Sequence, residues 1–189
     1  MASATAVEAG TTTRQLDPTH SSVEFSVKHM MMTTVRGRFK GIRGTITGSE
    51  AQPEGCCVEA EVDVASIDTG APDRDAHLRG PDFFDGDAHP LITFRSTRYE
   101  GNVRAEGDRF RVVGLLTMRD TSMEVTFECE FLGRGADPWG KERVGFSARC
   151  EVDRRDWGLR WNQAIETGGV LVANRVRIEV EAQFVRQAG

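Results

Sequence analysis

The sequence lacks long apolar runs and has no excess of basic residues. Its longest uninterrupted apolar stretch is only a few residues, far below the roughly 20 that a membrane-spanning helix needs. Lysine and arginine number 24 against 29 aspartates and glutamates, which gives a formal net charge of −5 at pH 7. A mildly acidic chain of this kind lacks the basic surface of a nucleic-acid-binding protein, so we expect no nucleic acid partner.

Cysteines are few, and their spacing is that of neither a disulfide framework nor a metal site. Cys56 and Cys57 are adjacent, Cys129 and Cys150 stand alone, and no CxxC occurs. The four histidines also lack metal-ligand spacing, and they are His20, His29, His77 and His89. The N-terminal segment has neither the basic start nor the apolar stretch of a secretory signal. We therefore expect reduced thiols, no bound metal and a cytoplasmic location.

Motifs of the common catalytic and nucleotide-binding sites are also missing. The sequence has no GxSxG nucleophile turn, no glycine-rich loop followed by GK[ST] and no complete dinucleotide fingerprint. The one tight cluster of arginine, aspartate and histidine is Arg74, Asp75 and His77, and it leaves an enzyme open as an alternative. Because no stronger catalytic signal accompanies this cluster, we predict that the protein is not an enzyme.

What the sequence does contain is the composition of one globular domain rich in turns. Its 189 residues are 39% hydrophobic and 28% charged, a balance typical of a folded domain. Glycine accounts for 20 residues, about 11% against an average of about 7%, which favours the turns and bulges of an all-β protein. We predict a flexible N-terminal tail over residues 1–13, followed by a single domain over residues 14–187.

Hydrophobic periodicity indicates antiparallel β-structure. Residues 121–132 and 176–184 alternate strictly between apolar and polar side chains, so each strand has one buried and one solvated face. Further predicted strands cover residues 22–29, 35–47, 58–64, 91–100, 110–118 and 146–152. Eight such strands are enough for a closed barrel. Residues 72–80 predict a short helix, and residues 154–169 predict a loop or short helix that closes one barrel end.

The inward-facing apolar side chains are the most informative candidates. A barrel of about eight strands either fills its interior with side chains or holds one small ligand, and composition leaves both open. The residues predicted to line the interior are Val23, Phe25, Val27, Phe39, Val62, Phe94, Leu116, Phe127, Phe146 and Ile178.

Several blocks, in order, resemble the YceI-like family of lipocalin-like polyisoprenoid-binding proteins. They are LDPTHSSVEFSVKH, VDVASIDTGAPDRDAHLRGPDFFD and VVGLLTMRDTSMEVTFECEF, and the resemblance covers about residues 14–186. Positions that match the family motifs are His20, Ser21, His29, Arg74, Asp75, His77, Leu78, Phe83 and Phe84. The stretch MMMTT after His29 departs from the family, which more often has a small-residue turn there.

The resemblance implies an extended antiparallel barrel of lipocalin type with an elongated apolar pocket. It implies non-enzymatic binding, storage or transport of a long-chain polyisoprenoid or isoprenoid quinone. Candidate contacts for the ligand's polar head group are His20, His29, Arg74, Trp157 and Trp161. The alternatives are an enzyme that acts on such an amphiphile, and a solid barrel that binds a protein partner. Transient membrane contact through one barrel end and either a monomer or a homodimer fit the sequence.

Overall fold

The computed structural model describes residues 11–49, 52–166 and 168–187, and their fold is all-β with one short helix. The helix, α1, is Pro72–Arg79, as predicted. The strands are β1 Thr11–Leu16, β2 Ser22–His29, β3 Thr33–Phe39, β4 Ile42–Ser49, β5 Gln52–Asp63, β6 Ile67–Asp68, β7 Leu91–Glu100, β8 Arg109–Met118, β9 Thr121–Ala136, β10 Glu142–Asp153 and β11 Val172–Arg186.

Eight of these strands close into an antiparallel barrel. The ring runs β1-β4-β5-β7-β8-β9-β10-β11 and returns to β1, because β11 also pairs with β1. Closure removes the exposed strand edges that an open sheet would present to other chains. The predicted eight-stranded, lipocalin-like barrel is therefore confirmed.

The strand β11 is the seam of the barrel. One of its edges pairs with β10 over residues 175–185. Its other edge pairs first with β2 and then with β1, which are separated by a short 3-10 turn at Pro18–His20. Beyond the ring, β2 continues as a hairpin with β3, and β3 pairs with the two-residue strand β6.

One predicted strand is wrong in its continuity. Residues 35–47 form parts of two strands, β3 and β4, with a break at Lys40 and Gly41. The chain bends there because β3 pairs with β2 and β6, whereas β4 pairs with β5 and β1. A Cβ atom on Gly41 would lie 2.4 Å from Oδ2 of Asp63, so any larger residue there would displace the Asp63 carboxylate.

The N-terminal boundary also differs from the prediction. Residues 1–10 of the predicted tail lie outside the described residues. Residues 11–13, which the prediction placed in the tail, belong to β1, because Thr11 pairs with Ser49 and Thr13 with Thr47. Within the described residues, the barrel strands therefore start at Thr11.

The two ends of the barrel are built from different kinds of backbone. At the end that we call the helix end lie α1, the 3-10 turn Arg154–Trp157 with the irregular segment after it, and the β2–β3 and β8–β9 turns. At the opposite end, the turn end, strands are joined by the loop 101–108 and the turn 137–141. No helix among the described residues is long and apolar enough to cross a bilayer.

Candidate functional site

The barrel encloses a cavity of about 430 Å³ that extends from the helix end to the turn end. This volume lies within the usual range for small-molecule sites, roughly 300–1,000 Å³. All ten predicted interior residues lie on the cavity wall: Val23, Phe25, Val27, Phe39, Val62, Phe94, Leu116, Phe127, Phe146 and Ile178. The interior is therefore hollow, and the filled-core alternative does not describe this barrel.

Aromatic rings form the wall of the cavity towards the turn end. The ring of Phe146 is the centre of this cluster, with ring centroids 5.9 Å from Phe110, 5.5 Å from Phe131 and 6.3 Å from Phe184. Tyr99 extends the cluster through Phe110, at 5.2 Å. Tilted and edge-to-face pairs of this kind stabilise beyond their buried area, so this half of the cavity has a firm apolar surface.

The helix end of the cavity is closed by side chains of α1 and the segment after it. Leu78, Phe83 and Phe84 all lie on the wall. The ring of Phe84 packs edge-on against Phe39 at 6.0 Å, and Phe39 packs against Phe25 at 5.7 Å. These contacts hold the apolar side chains of this segment against the β2–β3 hairpin, where they cover the helix end of the cavity.

Arg154 is a buried charge on the cavity wall at the helix end. The residue is 5% exposed, and burial lowers the pKa of its guanidinium from the ordinary value. Its donors bind four backbone oxygens and the Oδ1 atom of Asn174, over 2.6–3.4 Å; the backbone acceptors are those of Leu159, Trp161, Val172 and Ala173. Arg154 therefore fixes the irregular segment between the 3-10 turn and β11.

A second buried arginine lies near the turn end. Arg14 projects from β1 onto the cavity wall, is 5% exposed, and forms a hydrogen-bonded ion pair with Glu142. Glu142 also lies 3.6 Å from Arg186 of the adjacent strand β11. The two buried arginines thus lie towards opposite ends of a wall that is otherwise mainly apolar.

The buried thiols behave as part of the apolar wall. Burial raises the pKa of both Cys129 and Cys150 to about 12, so both thiols are neutral over the physiological range. Neutral, buried cysteines are small hydrophobic side chains and poor nucleophiles. The cysteines of the described chain form no disulfide with one another.

Sequence comparison decides the family of this barrel. The model of the YceI-like domain matches residues 15–184. The chain belongs to the YceI-like family. The UPF0312 protein of Staphylococcus epidermidis is 35% identical over 169 residues, which are 89% of this chain and 94% of that protein. Protein YceI of Escherichia coli O157:H7 is 34% identical over 141 residues, covering 75% and 72% of the two chains.

Solved structures show the same YceI-like fold. Campylobacter jejuni YceI matches with a TM-score of 0.71 and 25% identity, over 85% of this chain and 90% of that chain. BcnA of Burkholderia cenocepacia matches with a TM-score of 0.75 and 24% identity, over 89% and 98%. A polyisoprenoid-binding domain of Saccharophagus degradans, implicated in plant cell wall breakdown, matches with a TM-score of 0.65 and 15% identity, over 92% and 98%.

The predicted head-group residues of this YceI-like barrel lie away from the cavity wall. His20 is on the outer surface, where its Nδ1 atom lies 2.9 Å from Oδ2 of Asp17. Hydrogen bonds from Thr19, and then from Arg143 and His20, hold the pKa of Asp17 well below its usual range. His20, predicted as a head-group contact, therefore belongs to an external polar network and is not among the residues that form the described cavity wall.

Three of the other candidates also occupy structural positions. His29 ends β2 opposite Thr33 and Val172. The indole of Trp157 is buried and donates to the Leu116 carbonyl oxygen at 2.9 Å. Trp161 packs edge-on against His77, with ring centroids 4.7 Å apart. None of these three predicted residues is among those that form the cavity wall in the described structure.

The cluster of Arg74, Asp75 and His77 does not form one site. Arg74 donates to the Thr69 hydroxyl at 2.7 Å and to its carbonyl oxygen at 2.9 Å. Asp75 accepts from the backbone N–H and the hydroxyl of the same threonine. His77 instead faces Asp82, with Nε2 2.9 Å from Oδ2. These contacts stabilise the start of α1 and the segment after it, and the cavity wall contains none of the three residues.

The wall residues that the sequence did not single out are mainly apolar side chains of the strands, such as Ile46, Phe110 and Val144, and they include the buried arginines Arg14 and Arg154. For Arg14 the only signal was its position: Thr12, Arg14 and Leu16 line the cavity at every second residue, although the arginine interrupts the apolar alternation. Arg154 gave no such signal, because it lies in a 3-10 turn without strand periodicity. Within the described parts of the chain, no group of three or more His, Cys, Asp or Glu side chains is placed to hold a metal ion.

Proposed function

We propose that this protein binds a long-chain isoprenoid lipid, a polyisoprenoid or an isoprenoid quinone, in the barrel cavity and stores or carries it without chemical change. The observation that carries this proposal is the cavity of about 430 Å³ with an apolar middle. Its shape follows the barrel, and an elongated apolar chamber fits a chain-like apolar ligand better than a compact polar one. The polyisoprenoid-binding domain of Saccharophagus degradans, which has the same fold, supports the choice of ligand class.

The energetics of such binding come from apolar burial. Each buried methylene contributes about 0.8 kcal/mol, so a chain of several isoprene units has a large gross driving force. Association and the ordering of a flexible chain offset much of this, which leaves a finite affinity. The apolar part of the wall limits the length and shape of the ligand that fits, while polar groups at the ends distinguish one head group from another.

The proposal that the bound lipid is not transformed rests on the side chains around the cavity. The thiols of Cys129 and Cys150 are neutral, and the histidine of the candidate catalytic cluster faces Asp82 instead of the cavity. The buried guanidinium of Arg154 donates to backbone oxygens. These groups position backbone and form wall, and the described wall holds no histidine or paired carboxylates for proton transfer to a lipid.

The test is to extract purified protein with organic solvent and identify the lipid by mass spectrometry. We expect a long-chain isoprenoid in stoichiometric amount, and we expect delipidated protein to take up an added isoprenoid quinone. Recovery of that quinone unchanged after prolonged incubation supports a carrier. A clean extract, together with failure to bind quinones, polyisoprenoids and fatty acids, contradicts the proposal.

A variant that fills the cavity makes this test specific. Ala148 lies on the cavity wall, so Ala148→Phe places a ring in the space of the ligand. Its neighbour Ser147 points to the opposite face of β10, so Ser147→Phe adds the same group outside the cavity. We expect Ala148→Phe to lower lipid occupancy by about tenfold or more, roughly the effect of losing two buried methylenes, while Ser147→Phe retains it. Equal occupancy in both variants would place the lipid elsewhere.

A further inference from the structure

The β2–β3 hairpin ends in a turn whose residues do not suit its backbone. Met30 and Met31 have φ angles of 50° and 58°, and the N–H of Met32 donates to the His29 carbonyl oxygen at 3.0 Å. Two consecutive positive φ angles define a type I′ turn, for which Asn-Gly is strongly preferred. Residues with a side chain adopt this conformation at a cost in free energy. The presence of methionine at these two positions is therefore not explained by the stability of the turn.

These methionines are also exposed. Met31 is 66% exposed and Met32 69%, and among the large apolar side chains of the described surface only Trp139, at the turn end, is more exposed. The backbone N–H of Met30 donates to the Leu171 carbonyl oxygen, so the hairpin tip adjoins the loop that contains the exposed residues Val170 and Glu166. We call Met30–Met32 the methionine tip. It is a flexible apolar projection at the helix end of the barrel.

The outer strand surface behind the tip is basic. Ser26 of β2 is paired with Arg36 on β3 and with Arg177 on β11, so the two guanidinium groups flank it on the outward face. Lys28 lies on the same face, one outward position closer to the tip. Lys28, Arg36 and Arg177 are exposed, and within the described residues no carboxylate forms an ion pair with any of them. We call these three residues the basic strand face.

The neighbouring charges delimit this face. Glu24 and Glu179 lie opposite each other on β2 and β11, one outward position farther from the tip than Ser26. Glu151 of β10 lies opposite Arg177, and its ion pair is with Arg175 at 3.6 Å. Several other outward arginines of the barrel have partners; Arg43 pairs with Asp63 and Arg111 with Glu128. Since the whole chain carries a net charge of −5, unpaired cations concentrated behind an apolar tip are a local exception to its general charge.

We propose that the methionine tip and the basic strand face dock the barrel onto an anionic lipid surface. The methionines enter the region between head groups and acyl chains, while the three cations contact the anionic head groups. The remaining acidic surface is repelled by such a membrane, so the protein approaches with its helix end foremost. This inference rests on the proposed function, because docking at the helix end places one end of the cavity at the source of its lipid.

The test is flotation of purified protein with vesicles of phosphatidylcholine containing phosphatidylglycerol, and with vesicles of phosphatidylcholine alone. We expect binding to the anionic vesicles only, weakening as salt is raised because the charge contacts are exposed. Arg36→Gln combined with Arg177→Gln should weaken this binding on the order of tenfold, since each cation near an anionic surface contributes roughly a fivefold gain. Failure of the wild-type protein to bind anionic vesicles overturns the proposal.

Matched variants separate this surface from the rest of the barrel. Arg109→Gln with Arg111→Gln removes the same formal charge from the outer face of β8 and should leave vesicle binding within about twofold of wild type. Met31→Gly with Met32→Ser removes the apolar tip and gives the turn a glycine, so it should fold normally and lose most vesicle binding. Trp139→Ser, which removes the exposed ring at the turn end, should have no effect. The proposal is overturned if either control, the Arg109 and Arg111 double variant or Trp139→Ser, loses as much vesicle binding as the tip variant does.

Two further measurements identify other outcomes. Uptake of an isoprenoid quinone from detergent by the tip variant should equal that of wild type, because the cavity is unchanged. If wild type takes up neither quinones, polyisoprenoids nor fatty acids but still docks, the proposed function fails and the docking surface stands. Sedimentation velocity shows whether the tip variant instead dissociates a dimer, in which case the surface joins two copies of this chain and the membrane proposal is wrong.

Discussion

The two ends of the barrel achieve closure by different means. At the turn end, tight connections carry glycine where φ is positive, as at Gly107 and Gly140. At the helix end lie all four residues of the described chain that adopt positive φ without being glycine, namely Met30, Met31, Asp85 and Arg119. The turn end is thus built of conformations that its residues favour, whereas the helix end has backbone that surrounding contacts must maintain.

The two ends of the barrel also differ in the side-chain interactions that stabilise them. The turn end has a cluster of aromatic rings inside and ion pairs outside, such as Arg143 with Asp17 and Asp137. The helix end has separate aromatic pairs, such as Phe39 with Phe84, and a buried polar group, Arg154, that binds irregular backbone. A packed cluster loses stability gradually when one member changes, whereas a hub of hydrogen bonds fails as a unit. We therefore expect opening of the barrel to start at the helix end.

The largest effect is expected at this hub. Arg154→Ala removes the donors of five hydrogen bonds and leaves their acceptors without protein partners, which should lower the free energy of unfolding by about 3 kcal/mol or more. Urea denaturation measures the loss, and hydrogen exchange should show faster opening of residues 158–174. Arg155→Ala is the matched control, because Arg155 pairs on the surface with Asp153 and should cost less than about 1 kcal/mol. Equal losses in both would refute the role of Arg154.

The aromatic cluster should give the next largest effect. Phe146→Ala removes a ring that contacts three others, and the expected loss is about 2–3 kcal/mol, below that of a fully enclosed ring because one side faces the cavity. Phe25→Ala, near the helix end, removes a ring with one aromatic neighbour and should cost about half as much. Thermal and urea unfolding of both variants check this order, and the reverse order would contradict the contrast between the two ends.

A smaller effect, dependent on pH, is expected from Asp17. Its folded-state pKa lies below the unfolded value, so the carboxylate contributes stability that is present above about pH 4 and lost as the pH falls below that. Asp17→Asn should therefore be less stable than wild type by about 1–2 kcal/mol at pH 7, with the difference shrinking in acid. Urea titrations at a series of pH values measure this, and a difference that does not change with pH would rule out the ionised form as the cause.

The smallest effect is expected from the strained turn itself. Met31→Gly should raise the free energy of unfolding by about 0.5 kcal/mol, because glycine accepts the positive φ angle that methionine resists. The matched change at the turn end, Gly140→Ala, should have the opposite sign, since φ there is 80°. Both are measured by urea denaturation, and a destabilised Met31→Gly would show that packing of the methionine outweighs the turn conformation.

The regular part of this molecule was predictable from sequence because its signal is local. Alternation of apolar and polar residues at 121–132 and 176–184 predicts strands with one solvated and one buried face. This prediction does not depend on where in the barrel each strand lies. The same alternation placed Phe94, Phe127 and Ile178 on the cavity wall. The break between β3 and β4 was not predictable, because it depends on pairing between Phe39 and Ile67, which are distant in sequence.

The candidate site was predictable in its apolar part and not in its polar part. An apolar side chain on a strand has one face on which to be buried, whereas histidine, arginine or tryptophan in a turn can point either way. His20 and Arg74 therefore face outward contacts, while Arg154, with no periodic signal, is buried. The strand β1 was missed because Arg14 occupies an inward position and interrupts the apolar pattern.

The pairing of β11 with β1 has a consequence for how the protein is made. Arg14 lies opposite Arg186, so strands from the two ends of the described chain are direct neighbours. During synthesis β1 leaves the ribosome before the other described strands, and its partner β11 leaves after all of them. Until then the nascent sheet has two free edges and an exposed apolar face, a state prone to association with other chains. Completion of the barrel therefore waits for the emergence of β11 and is slowed by the high contact order of its final pairing.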